Sequence, residues 1–265
     1  LDRRQRQMCI RDRSFTAERE DIRIAKSIRQ MNLPASVPSP PGIDMNLWQE
    51  PAEAIGGESY DAVVVERSMD GHPAVVVLAV FDFAAKGLAA AIGGAELRAE
   101  FRAAIATGAA DLAVVAARLD QFVRDERPEI CPLHTCLLRI DGDRRLEMLN
   151  FGWDEPALAR GSEVQRIGHP ANPLGIAPGL EPGSPLRVRL QAGDTFALAS
   201  DGVLDALTVE RTRYGRDGLE QALRRNVLSD SGAFIESVIA DLQEYSAGVR
   251  DDRTLLVIRV SGDIN

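Results

Sequence analysis

Four acidic positions in this chain could do chemistry together. Asp82 and Asp201 each close an apolar run, while Glu58 and the pair Asp251-Asp252 each stand just before one. A single aspartate in such a context is more often a turn or helix-cap residue. Four in matching order need a common account. Carboxylates about 4 Å apart repel strongly unless a cation or a shared proton relieves them. Oxygen-only donors suit Mg²⁺ or Mn²⁺ over zinc. Two such ions about 3.5–4 Å apart can activate a bridging water as the hydroxide for in-line attack on phosphorus. No protein nucleophile is then required, and none is evident, since three scattered histidines offer no Ser-His-Asp arrangement.

The elements that must position these acids follow from the pattern. Val75 to Phe81 is a continuous apolar run that reads as a strand buried on both faces. Asp82 would sit at its end, where an unpaired charge is costly. Strands are expected at Ile43–Glu50, Tyr60–Glu66, Pro73–Phe81, Thr135–Asp141, Arg145–Phe151, Leu186–Leu190, Thr195–Ser200 and Thr254–Val260, with short extended pieces at Ala157–Arg160 and Val164–Ile167. Asp70-Gly71 and Asp141-Gly142-Asp143 mark turns. Helices are expected at Leu88–Ala106, Asp111–Asp125, Gly218–Val227 and Ala233–Tyr245. In an antiparallel sheet the end of one strand lies beside the start of the next, so all four acidic positions are expected at one edge.

Composition bounds the reading. The chain has 265 residues, 45% hydrophobic and 27% charged, as expected of a globular domain with a core of its own. A net charge of −9 argues against nucleic-acid or anionic-membrane partners. No run approaches the roughly 18 apolar residues of a membrane span, and three cysteines point to a reducing cytoplasm. Residues 1–13 form a basic, unpatterned stretch that resembles adapter-derived sequence and is set aside. Residues 14–33 read as an N-terminal linker helix, with Ile22, Ala25, Ile28 and Met31 at helical spacing, and 34–42 as a proline-rich loop. That helix is expected to pack on its own domain; a coupling or homodimer role is the other reading. The remaining 43–262 reads as one domain.

Taken in order, Pro51–Asp61 (PAEAIGGESYD), Asp82–Gly87 (DFAAKG), Pro173-Leu174-Gly175, Gly193–Gly202 (GDTFALASDG) and Asp251-Asp252-Arg253-Thr254 resemble the PPM/PP2C-type metal-dependent protein phosphatases, in their bacterial SpoIIE/RsbU-like branch. The resemblance implies an α+β fold, a four-layer α-β-β-α sandwich with two central antiparallel sheets flanked by helices. It also implies two Mn²⁺ or Mg²⁺ ions and hydrolysis of phosphoserine or phosphothreonine in a regulatory protein, often an anti-sigma-factor antagonist. An upstream sensor domain commonly precedes the linker helix in this branch. By position, the metal ligands would be Glu58, Asp82, the Phe83 carbonyl, Asp201 and Asp251, with Gly57, Lys86, Gly87, Gly202 and Asp252 in support. Three positions depart from the family pattern. Glu58 stands where aspartate is usual and reaches about 1.5 Å further. Ala85 replaces a turn glycine, so a left-handed backbone there would be strained. Trp153 replaces the histidine of an Asn-Ala-Gly-His motif. These departures favour the alternative, a pseudophosphatase acting as a regulatory binding module.

Other motifs carry less. Cys131, His134 and Cys136 make an incomplete and irregular set for zinc. Gly93-Gly94 reads as a close helix contact rather than a phosphate cradle, and Trp48 and Trp153 as packing residues. His72 and His169 fall in turn-like, solvated contexts.

Overall fold

The computed structural model describes residues 22–28, 31, 33–52, 55–65, 75–108, 110–245 and 251–261. At its centre is β3 (Val75–Phe83), whose side chains alternate between two different cores. Val75, Val77, Ala79, Phe81 and Phe83 face helices, and Val76, Leu78 and Val80 face a second sheet. With no face in water, the strand needs no polar alternation and reads as an unbroken apolar run.

The first sheet has the order β2 (Glu58–Val65), β3, β4 (Leu133–Asp141), β5 (Arg145–Phe151), β8 (Leu186–Arg189). The second runs β1 (Ile43–Glu50), β10 (Arg253–Val260), β9 (Thr195–Ala199), β6 (Ala157–Arg160), β7 (Glu163–Arg166). Every strand pairing in both is antiparallel. On β10 the alternation repeats: Leu256, Ile258 and Val260 point between the sheets, and Leu255 and Val257 point outward.

Helices close both outer faces. Residues 22–28 form α1, and α2 (Gly87–Gly108) and α3 (Leu112–Asp125) cover the first sheet; Ala25 and Ile28 of α1 pack into the same core. The short α4 (Asp201–Leu204), with α5 (Gly215–Arg225) and α6 (Ser231–Glu244), covers the second. The result is the expected four-layer α-β-β-α sandwich. The Asp111 side chain caps α3 by accepting from the Ala113 and Val114 N–H groups, and Asp230 caps α6 by accepting from Ala233. Gly93 and Gly94 let α2 approach its neighbours: a Cβ would lie 2.8 Å from Ile130 Cγ2 at the first and 3.3 Å from Phe83 Cζ at the second. Fully buried Asp61 on β2 accepts from Arg98 at 3.1 Å and Arg102 at 2.6 Å, tying the edge strand to α2. Charge burial on this scale is tolerable only because it is paired and hydrogen-bonded.

Several boundaries differ from expectation. β3 continues through Asp82 to Phe83, and β4 begins at Leu133, so both take in polar residues next to the apolar run. The pairing of β3 with β4 extends through Asp82↔His134 and Phe83↔Leu133, which carries the ladder past the apolar residues. α4 has no periodic signal because it is one turn long. Ala85 does not adopt a left-handed backbone; that conformation falls to Gly87, at φ +66°, so the anticipated strain is absent. Of the expected N-terminal helix only 22–28, 31 and 33 lie within the described residues, and the Asp70-Gly71 turn, His72 and residues 1–13 lie outside them. Among the described residues no helix is long and apolar enough to cross a membrane.

Phe101 of α2 is fully buried and meets Phe81 edge-to-face, with ring centroids 5.9 Å apart. Phe101→Ala is expected to cost about 3–5 kcal/mol, read as a lower urea midpoint with unchanged slope.

Candidate functional site

Glu58 and Asp82 are direct partners in the β2–β3 ladder, so the start of one strand and the end of the other deliver two carboxyl groups side by side. The loop before β2 has to pass very close to β3. A Cβ on Gly57 would lie 2.5 Å from the Phe83 carbonyl oxygen, and the Phe83 N–H donates to the Gly57 carbonyl at 3.3 Å. Glu58 is buried, and its carboxylate accepts a hydrogen bond from Thr254 Oγ1 on β10 of the other sheet.

Asp252 completes this join. It is 7% exposed and accepts from the Ala52 N–H at 2.7 Å and the Glu58 N–H at 3.3 Å. A Cβ on Gly56 would come within 2.0 Å of Asp252 Oδ2, so glycine is needed for the carboxylate to reach the loop. On its other side the Asp252 carbonyl accepts from Ser200 Oγ at 3.3 Å and leaves no room for a side chain at Gly202, whose Cβ would lie 1.9 Å away. Buried Arg253 donates to the Gly202 carbonyl at 3.3 Å and to Glu50 at 2.9 Å. The segment 252–254 thus clamps three others together.

Asp201 opens α4 immediately after β9. Partial burial of its carboxyl group, then the charges of Asp205, Asp154 and Asp82, raise its pKa, with His134 acting the other way. Glu58 is raised further: burial leads, Asp82 and Asp252 add repulsion, and the Thr254 and Ser200 hydroxyls oppose it. His134 faces Asp82 across the β3–β4 ladder, with Nδ1 3.7 Å from Oδ2. The neighbouring Asp82 carboxylate raises the imidazole pKa against partial desolvation, and Asp201 adds to this. Lys86 is exposed on the turn leading into α2, whose first turn holds no acidic residue.

Asp82 therefore acts on both Glu58 and Asp201, and Asp252 on Glu58, at one end of the molecule, with acids contributed by both sheets rather than by one sheet edge. Asp251 lies on the adjoining turn, where its exposed carboxylate accepts from the Asp252 N–H at 3.0 Å. Among the described residues no three Asp, Glu, His or Cys side chains already enclose a point that could hold an ion. The chemistry of the donor set nevertheless fits an oxygen-preferring divalent cation, because two of its carboxyl groups are pushed up by desolvation and like charge, which a cation would reverse. Cys131, His134 and Cys136 do not form a set: Cys136 is buried between the sheets and Cys131 packs toward the helices. Trp153 is 4% exposed in the inter-sheet core, and Trp48 packs beneath α6 and its neighbours, so both are packing residues.

Sequence reasoning missed His134 and Asp154 as neighbours of the acids. The signal for His134 was its place on the same strand face as Cys136, two residues away, but it was legible only once β4 was known to begin at Leu133. Asp154 is held by Arg216, at 3.0 Å from Nε, and no local pattern announces that contact across 62 positions.

The family model described as Stage II sporulation protein E (SpoIIE) matches residues 72–261. A search of curated proteins finds no match. Among solved structures, the SiaA-PP2C domain of Pseudomonas aeruginosa is 23% identical with a TM-score of 0.75, over 93% of this chain and 98% of that one. The PP2C phosphatase domain of SpoIIE from Bacillus subtilis, solved with a fragment of its regulatory domain, is 16% identical with a TM-score of 0.67, over 84% of this chain and 63% of that one. RsbX in complex with magnesium is 17% identical with a TM-score of 0.61, over 85% and 98%. At these identities the structural likeness establishes the shared fold.

Two outcomes follow from the geometry. Gly56→Ala must displace the Asp252 carboxylate and is expected to cost about 1–3 kcal/mol in chemical denaturation. Glu58, raised when folded, contributes stability that is fully present below its unfolded pKa and lost as pH rises from about 4.3 through the higher folded value. Glu58→Gln is therefore expected to raise the melting temperature of cation-free protein at neutral pH by roughly 2–4 °C, with little effect in acid.

Proposed function

The chain belongs to the SpoIIE family of PP2C-like phosphatase domains, and from that premise we propose that it is a divalent-cation-dependent serine/threonine protein phosphatase acting on a regulatory phosphoprotein. The observation that carries this reading is the Glu58–Asp82 pair, set side by side by strand register and raised in charge density by Asp252 and Asp201 from the other sheet. Glu58, Asp82, Asp201 and Asp251, with the Phe83 carbonyl, would hold two Mn²⁺ or Mg²⁺ ions. When bound, such ions lower the pKa of water and neutralise charge on a phosphoryl group.

The chain's own groups do the rest. Asp252 and Thr254 hold the backbone and carboxylate of Glu58. Arg253 fixes the Gly202 carbonyl, and with it the turn that carries Asp201. Lys86 and the N-terminus of α2, with no acid in its first turn, bring positive charge to the rim and suit the approach of a phosphoryl group. A site open at the surface, as the exposure of Asp82, Lys86 and Asp251 indicates, accommodates a side chain presented by another protein. Small anti-sigma-factor antagonists are the substrate class that the family resemblance favours.

A second reading, a binding module without turnover, is favoured by two observations: the Glu58 carboxylate is already engaged by Thr254, and among the described residues no three donors converge.

The purified protein is expected to hydrolyse p-nitrophenyl phosphate only with Mn²⁺ or Mg²⁺ present, and Asp201→Asn to reduce turnover by at least about a hundredfold. Cation binding in calorimetry without hydrolysis of any phosphoprotein would favour the binding module. Glu58→Asp separates the two further, because a gain in turnover identifies a weakened native enzyme.

A further inference from the structure

We propose that His134 is a nitrogen donor to the cation held at Asp82, and that it shifts the site's preference from Mg²⁺ toward Mn²⁺ and other first-row transition ions. The proposal rests on the cation-loading reading of the acidic end. It adds a residue that the oxygen-only donor set does not contain.

Strand register carries the first part of the argument. β4 runs antiparallel to β3, and His134 stands directly opposite Asp82, so backbone pairing fixes the separation of the two side chains. Nδ1 lies 3.7 Å from Asp82 Oδ2. That is too long for a hydrogen bond. It is within the span open to two donors on one ion: with each about 2.1 Å from the metal, they stand about 3.0 Å apart at a right angle and about 4.2 Å apart when opposite.

The orientation of the ring carries the second part. Gly152 has φ +83°, and a Cβ there would come within 2.7 Å of His134 Cδ2 and 2.8 Å of Pro173 Cγ. The Cδ2 edge of the imidazole is thus walled by the Gly152 turn, and Nδ1 is left on the side of Asp82. The wall is itself fixed, because the loop carrying Pro173 is tied to β4 by reciprocal backbone bonds between Leu133 and Leu174, at 3.1 and 2.9 Å. The two side chains are 36% and 41% exposed, which leaves a hydrated ion a path to both.

Ligand chemistry gives the consequence. Imidazole nitrogen is a good donor to Mn²⁺ and later first-row ions, whereas Mg²⁺ prefers oxygen and holds its waters. An all-carboxylate site would discriminate less.

The test uses the full chain loaded with Mn²⁺ and pulsed electron paramagnetic resonance, which detects ¹⁴N coupled to the ion, alongside calorimetric titration with Mn²⁺ and with Mg²⁺. The expected result is a nitrogen coupling in the native protein that disappears in His134→Ala. Mn²⁺ affinity should fall at least about tenfold, the loss typical even of a group that only orients a ligand, and Mg²⁺ affinity should change much less. Mn²⁺ bound without nitrogen coupling, a coupling that persists in His134→Ala, or equal changes for the two ions would overturn the proposal and leave His134 as an ion-pair partner of Asp82. Those outcomes leave the cation reading standing; failure of the native chain to bind either ion overturns both. Should His134→Ala fail to fold, the spectrum of the native protein decides, with His134→Gln as the second variant.

Discussion

Bringing carboxyl groups from separate segments to one end of a protein costs free energy, and this molecule meets that cost with contacts made around the acids. Glu58 is buried beside Asp82 and Asp252, and both its burial and their charges work against its ionised form. Hydrogen bonds help to keep it there. The Asp252 carboxylate holds its backbone N–H, the Thr254 hydroxyl holds its carboxylate, and two glycines let the chain pass close enough for both. Such an arrangement is electrostatically unfavourable, and a divalent cation would relieve it.

The sandwich supplies the rigidity this requires. Each sheet is buried on both faces, so a one-residue slip of β3 or β10 would exchange the residues facing the helices for those facing the other sheet. Register is therefore fixed by the cores, and register is what aligns Glu58 with Asp82 and Asp82 with His134. The segment 252–254 then locks the ends of the two sheets against each other, through Gly56–Glu58 on one side and Ser200–Gly202 on the other. Packing far from the acids and geometry at the acids are one system.

Much of this was legible in the amino-acid order. Strands β1 and β5 fall where alternation and turn residues put them, and α3 begins one residue after the start of the expected helix, with Asp111 as its cap. Strand polarity placed Glu58 beside Asp82, but it put all four acidic positions at one sheet edge, whereas Asp201 and Asp252 come from the other sheet. Less visible were features set by long-range contact. That Asp252 turns inward while Asp251 stays exposed depends on Gly56, almost two hundred positions away. Ala85 escapes strain because Gly87 takes the left-handed position, a choice local sequence leaves open. His134 was hidden because the expected strand starts at Thr135, whereas the hydrogen-bonded ladder of β4 starts two residues earlier, at Leu133.

The central claim is that these acids share divalent cations, and the most direct measurement of it is anomalous diffraction at the manganese edge from crystals of the full chain grown with Mn²⁺. The account predicts peaks within about 2.2 Å of carboxylate oxygens of Asp82 and Asp201. An anomalous map with no peak there, or with manganese only at surface positions remote from Asp82, would contradict it.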